Sequence, residues 1–200
     1  KQHVEATNDP RVVPFMRRFF AYQSKALENC PLGKWTEWAA SRGTDNAMLV
    51  QWLYSKTEDK SLLDLAAKIE SQSFRWSEWL GNRDWVMWAA GNQTGELWMR
   101  RHAVNIGMAL KAPAINYQRT RDPKYIQALN TGWKDLMMLH GLPMGIFSGD
   151  EDLHGNAPTQ GVELCAIVEA MFSLENIIAI TGDVRYMDAL ERMTFNALPA

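Results

Sequence analysis

Cysteine is scarce in this sequence: Cys30 and Cys165 are the only two among its 200 residues. Two cysteines exclude the multi-disulfide framework that stabilises small secreted domains, and their spacing leaves open whether they pair with each other. A chain of this length is sufficient for one ordinary domain with a hydrophobic core. We therefore expect burial of apolar side chains to stabilise the fold.

An excess of basic residues is also missing, since 21 lysine and arginine residues stand against 23 acidic ones and the formal net charge is −2. This balance gives no electrostatic footprint for nucleic acid or for an anionic membrane, so we expect neither as a partner. The uninterrupted apolar runs are too short to span a bilayer. Strand-like alternation of apolar and polar residues is absent too, which favours helices.

The sequence lacks an initiator methionine and a signal peptide, and its end, Phe195-Asn-Ala-Leu-Pro-Ala200, shows no pattern typical of a chain terminus. We therefore expect residues 1–200 to be a portion of a longer protein that continues after Ala200. Any targeting signal would then precede these residues.

The chain does contain a repeated signature, T-x-D-x-x-(Leu/Tyr)-apolar, which starts at Thr57, Thr120 and Thr181, 63 and 61 residues apart. Each copy follows a helical pattern and opens another, and its aspartate can cap the second helix. A unit of about 60 residues is too long for tetratricopeptide or ankyrin repeats. We predict an all-α fold, a portion of a single (α/α)6 toroid domain, with an open α-solenoid as the alternative.

Glu163 and Cys165 stand two residues apart where an apolar helix is predicted to begin. Carboxylate and thiolate groups are ordinary zinc ligands. On a regular helix this spacing rotates one side chain about 200° from the other, so the two can share a metal ion only if Glu163 precedes the regular helix. Pro158 and Gly161 favour that arrangement because both interrupt regular structure. The alternative is that Cys165 is a buried core thiol.

Three consecutive acids, Asp150, Glu151 and Asp152, occupy a turn-rich loop ahead of this pair. A carboxylic acid in such a loop could act as the proton donor that glycoside hydrolysis requires. A solvated acidic loop without a chemical role is the alternative. His154, in the same loop, could bind a metal ion, bind a sugar or do neither.

Two further pairs of polar residues are candidates for ligand binding. His102 and Asn105 lie three residues apart on a helix predicted over 98–112, hence on one face; a buried histidine with an asparagine neighbour is the alternative. Asp45 and Asn46 stand at a predicted helix start, where capping accounts for either residue and binding of sugar hydroxyls would use both.

Tryptophan is abundant, with nine residues. Tryptophan fills gaps between large helices, and its face also stacks on the C–H surfaces of sugars, so both roles stay open for those near loops. The nine are Trp35, Trp38, Trp52, Trp76, Trp79, Trp85, Trp88, Trp98 and Trp133.

The segment Gly161–Glu175, the turn at Thr181-Gly-Asp183 and the segment Leu190–Ala200 resemble glycoside hydrolase family 127 and its relatives, the β-L-arabinofuranosidase-like proteins. Upstream, Arg101-His-Ala-Val-Asn105 and Trp52-Leu-Tyr54 fit the same pattern. The resemblance covers the chain from residue 40 onward and is most specific over 145–200.

This resemblance implies an (α/α)6 toroid and retaining hydrolysis of a carbohydrate, in plant polysaccharides or glycoprotein side chains, with a zinc-bound cysteine thiolate as nucleophile. Glu163 and Cys165 match the family's Glu-x-Cys pair of zinc ligands. A Cys-Cys pair supplies the other two ligands, one of them the nucleophile, and no such pair occurs within residues 1–200.

For the remaining site residues, Glu151 is the best match to the family's acid/base glutamate, and Asp150 is the alternative in a shifted register. His102 and Glu191 match residues of the family's sugar pocket. Two other functions are weighed against this one: a toroid protein of other chemistry, such as a sugar isomerase or polysaccharide lyase, and a non-catalytic helical-repeat binding protein.

Overall fold

The computed structural model describes residues 1–82 and 95–200, and over them it is all-α, as predicted. The helices are α1 Gln2–Thr7, α2 Val12–Asn29, α3 Leu32–Trp35, α4 Glu37–Ser41, α5 Gly43–Thr57, α6 Ser61–Gln72, α7 Trp76–Gly81, α8 Gly95–Arg101, α9 Ala103–Ala109, α10 Ala112–Thr120, α11 Lys124–His140, α12 Leu164–Thr181 and α13 Val184–Arg192. A short π-helix, Met193–Ala197, follows. Trp85 and Trp88, singled out above, lie outside the described residues.

The chain divides into two compact units, Lys1–Phe74 and Arg75–Ala200. In the first, α5 packs against α6 around buried side chains such as Leu53 and Ile69. In the second, α12 packs against α9 and α13, and α11 packs against α7 and α10. Each fully buried leucine or isoleucine stabilises such a core by roughly 2 kcal/mol. That all 200 residues form part of one domain stays a prediction.

The predicted T-x-D turns join α5 to α6, α10 to α11 and α12 to α13. In the last of them Thr181 Oγ1 donates to the carbonyl of Ile177 and accepts the N–H of Asp183. The Asp183 carboxylate accepts the N–H of Arg185 at 3.0 Å and so caps α13. The same three hydrogen bonds recur in the copies at 57 and 120.

A fourth copy of this turn, which the sequence search missed, joins α1 to α2. Thr7 and Asp9 make the same three hydrogen bonds, and the residue between them, Asn8, is left-handed like its counterparts in the other copies. This copy departs from the repeated signature in two ways. Val12 stands where the other copies have leucine or tyrosine, and the copy lies 50 rather than about 60 residues before the next.

The aspartates of these four turns make the stability of the helical hairpins depend on pH. Hydrogen bonds from the residue two positions further on hold the pKa of the aspartate in each of these four turns below its ordinary value. A carboxylate with a lowered pKa stabilises the fold at and above its unfolded pKa, about 4, and the contribution is lost as the pH falls through the folded pKa.

We expect the melting temperature of the wild type to exceed that of a variant with all four aspartates replaced by asparagine at neutral pH. Asparagine also caps helices but carries no charge, so the difference isolates the carboxylates. The difference should shrink as the pH falls below about 4, which thermal melts followed by circular dichroism can measure. An equal difference at neutral and at strongly acidic pH would contradict this account.

Helix α12 is, among the described helices, the one long and apolar enough by length and composition to cross a membrane. The core helix of a globular protein meets the same criteria. One stripe of α12, including Ala166, Ala170 and Leu174, is buried in the second unit. Gly107 of α9 lets this stripe approach closely, because a Cβ there would lie 3.1 Å from the carbonyl oxygen of Ala166. The first turns of α12 thereby lie against α9.

Candidate active site

The loop that carries the three acids lies between the start of α9 and the start of α12. We call Ser148–Gly155 the acid loop. On one side the N–H of Ala103 donates to the carbonyl of Glu151 at 2.9 Å. On the other side Gly149 exchanges backbone hydrogen bonds with the segment before α12, of 3.1 Å to Gly161 and 3.0 Å to Glu163. Backbone pairing therefore brings the acids, the start of α9 and the Glu-x-Cys pair together.

The side chain of Arg101 holds the acid loop in place, a role that was not predicted from the sequence. This arginine is buried, its Nε donates to Asp152 Oδ1 at 3.1 Å and its Nη2 donates to the carbonyl of Leu153 at 3.0 Å. The Asp152 carboxylate also accepts the N–H of Leu153. Asp152 is therefore a structural anion, paired with a buried cation. The one sequence signal for Arg101 was an arginine next to the candidate His102.

His102 meets Glu151 directly, with 3.1 Å between Nε2 and Oε2. The single helix predicted over 98–112 is wrong: the chain turns at His102, whose backbone is extended, and α9 begins at the next residue. Two contacts account for the turn: the N–H of Ala103 donates to the carbonyl of Glu151 in the acid loop, and His102 Nδ1 accepts the N–H of Asn105 and so caps α9. With Nδ1 accepting, the ring hydrogen is on Nε2 and points to Glu151.

The Glu151 backbone is itself unusual, with φ at +70°. Among the described residues, the other non-glycine residues with positive φ, Asn8, Glu58 and Arg121, all cap helix ends. A left-handed glutamate away from a helix end costs on the order of 1 kcal/mol. This cost, at the residue that meets His102, is typical of a functional position. Asp150, the alternative in the shifted register, is exposed.

The side chains of Glu163 and Cys165 lie in contact with each other. Helix α12 begins at Leu164, and Glu163 is its extended N-cap with φ −80° and ψ 129°. The Cys165 Sγ therefore lies 2.7 Å from Glu163 Oε1. Partial desolvation, and next the hydrogen bond and negative charge of Glu163, raise the pKa of the Cys165 thiol. Cys165 is exposed, so its interpretation as a buried core thiol is wrong.

A metal ion fits the donor atoms here. One ligand atom each from His102, Glu151 and Glu163 lies within 4.8 Å of the others, a group that does not include Cys165. Glu163 Oε2 is buried without a hydrogen-bond partner among the described residues. Such an oxygen is costly to bury, and a cation is a partner that suits it. His102 suits a ligand less well because its Nε2 carries the hydrogen. Glu163 with Cys165 is thus the better donor pair.

Four candidate residues remain, on α9, α13 and α5. Asn105 is fully buried and its side-chain amide donates to the carbonyl of Met99. Glu191 is exposed on α13. Asp45 and Asn46 stand in the first turn of α5, in the first unit, at the helix start that the sequence predicted. Substrate binding by these four residues stays a prediction.

Comparison with known proteins identifies the family. Residues 1–200 match the family profile described as β-L-arabinofuranosidase, GH127 catalytic domain, which confirms the resemblance found in the sequence. Neither the curated proteins nor the solved structures contain a significant match.

Proposed function

Since the chain belongs to glycoside hydrolase family 127 and is a β-L-arabinofuranosidase-like glycoside hydrolase, we propose that it cleaves its substrate by a retaining double displacement. The catalytic domain of the family is an (α/α)6 toroid, and the all-α fold conforms to it. We therefore prefer the toroid to the open α-solenoid that was the alternative from sequence. A carbohydrate is the substrate that this family acts on. We propose a furanoside in a plant polysaccharide or a glycoprotein side chain.

The contact between His102 and Glu151 is the observation that carries the proposal. The Glu151 carboxylic acid donates its proton to the leaving glycosidic oxygen as the bond to the anomeric carbon breaks. The resulting carboxylate then takes a proton from the water that releases the sugar. The Nε2–H of His102 orients the carboxylate, and the exposure of Glu151 leaves it open to substrate.

Zinc is the cofactor that we propose for Glu163 and Cys165. A carboxylate oxygen and a thiolate are suitable ligands. The Oε2 of Glu163, which finds no hydrogen-bond partner in the described part of the chain, supports a cation at this place. Bound zinc would keep Cys165 as a thiolate in spite of its raised pKa, and would likewise activate the nucleophilic cysteine that the resemblance implies.

The stereochemistry of hydrolysis tests this proposal. We expect the full-length protein to release arabinose from nitrophenyl β-L-arabinofuranoside with the β configuration in the first-formed product, which proton NMR detects before the sugar mutarotates. First-formed α product would contradict the double displacement. Absence of hydrolysis, while other nitrophenyl furanosides are cleaved, would change the proposed sugar and leave the displacement to be tested on that substrate.

A further inference from the structure

We propose that His140 is a positioning residue for Glu151, a role that rests on the acid/base function proposed above. His140 is the last residue of α11 and is buried. It belongs neither to the group of ligand atoms around Glu163 nor to the residues matched to the family's pattern. Its contacts nevertheless close the acid loop.

Two hydrogen bonds join the end of α11 to the two ends of the acid loop, and a third joins those ends to each other. At the first end, the backbone carbonyl of His140 accepts the N–H of Ser148 at 2.8 Å. At the far end, the ring Nδ1 of His140 accepts the N–H of Gly155 at 2.9 Å. The Ser148 hydroxyl donates to the carbonyl of Gly155 and links the two ends to each other. His140 and the Ser148 hydroxyl thereby set the width of the loop at its base together.

Gly155 itself, at the far end of the loop, has open space beside its Cα. A Cβ on Gly155 would meet no heavy atom within 4 Å, and the glycine has φ +87°. Arg101 holds the middle of the loop through Asp152, but that contact does not reach Gly155. Because a general acid must lie within about 1 Å of its productive position, slack at the base of the loop should reduce proton transfer from Glu151.

The ring of His140 acts here as an acceptor, which offers a matched pair of substitutions. In His140→Asn the Oδ1 atom stands close to the place of Nδ1 and can still accept the N–H of Gly155. In His140→Leu a side chain of similar bulk has no acceptor, so the same N–H loses its partner. The two variants therefore differ in the hydrogen bond while both lose the ring.

The sensitivity to the leaving group separates positioning from a purely structural role. A nitrophenolate leaves without help from an acid, whereas a methyl alkoxide needs a proton, so a displaced general acid slows cleavage of the methyl glycoside more. The measured quantity is kcat/KM for nitrophenyl divided by kcat/KM for methyl β-L-arabinofuranoside, with the full-length protein. This ratio does not depend on how much of a variant is folded, so partial unfolding of a variant leaves the test valid.

We expect His140→Leu to raise the ratio about tenfold, equivalent to roughly 1.4 kcal/mol of lost transition-state stabilisation, and His140→Asn to stay near the wild-type ratio. A wild-type ratio in His140→Leu would overturn the proposal, and so would equal increases in both variants. Glu151→Gln serves as the reference. If it leaves the ratio unchanged, the acid/base assignment fails as well; if it raises the ratio while His140→Leu does not, only the role of His140 fails.

Discussion

Replacing Glu151 with glutamine should lower kcat by about two to four orders of magnitude, the range that a positioned general acid/base contributes. Glutamine is close in shape and keeps the hydrogen bond from His102, but it has no proton to donate to the leaving oxygen. The melting temperature should stay near that of the wild type, because the exposed side chain stabilises little. Steady-state kinetics of the full-length protein with the methyl glycoside measures the effect.

Asp150→Asn is the matched control for this prediction. Asp150 precedes Glu151 in the same loop and is also exposed. A loss confined to Glu151→Gln supports its assignment, whereas near-normal turnover of that variant would reject it. If Asp150→Asn is the inactive variant instead, the register of the family's acid/base residue is shifted by one.

The second large effect is expected from Cys165→Ser, which should lose bound zinc together with activity. A serine hydroxyl stays protonated near neutral pH and is a poor zinc ligand. The variant would retain the Glu163 carboxylate but not the neighbouring thiolate, so we expect zinc to dissociate. The loss of activity should exceed the roughly 10–100-fold that changes outside the ligand shell cause. Metal analysis and kinetics on the same preparation measure both effects.

Cys30→Ser supplies the control, because Cys30 is the other cysteine of the chain and is also exposed. It lies in the first unit, at the end of α2, and no contact links it to a candidate site residue among the described contacts. Zinc and activity should both be unchanged in this variant. Full zinc occupancy in Cys165→Ser would refute the assignment of that residue as a ligand.

The sequence predicted those parts of the structure that depend on neighbouring residues. Thr181 and Asp183 make a turn whose hydrogen bonds span only a few residues, so their spacing was sufficient to predict it. The same holds for Glu163 and Cys165, where the interruption at Gly161 predicted that the helix would start after the glutamate.

Contacts between distant segments could not be predicted in this way. Arg101 and Asp152 are 51 residues apart, and no local pattern indicates that they pair. The turn at His102 was missed because the apolar periodicity continues through it. The N–H of Ala103 pairs with the distant Glu151 there, and the imidazole of His102 caps α9. His140 likewise acts on the acid loop through its ring and gives no signal in its own helix.

The zinc content of the full-length protein, purified without chelator, tests the account most directly. The proposed chemistry depends on a buried carboxylate oxygen of Glu163 that lies beside a thiol and has no hydrogen-bond partner within residues 1–82 and 95–200. We predict about one zinc ion per chain, because one site with two ligands from this pair is expected to bind one ion. Protein that is folded and active on the methyl glycoside but contains no zinc would contradict the account.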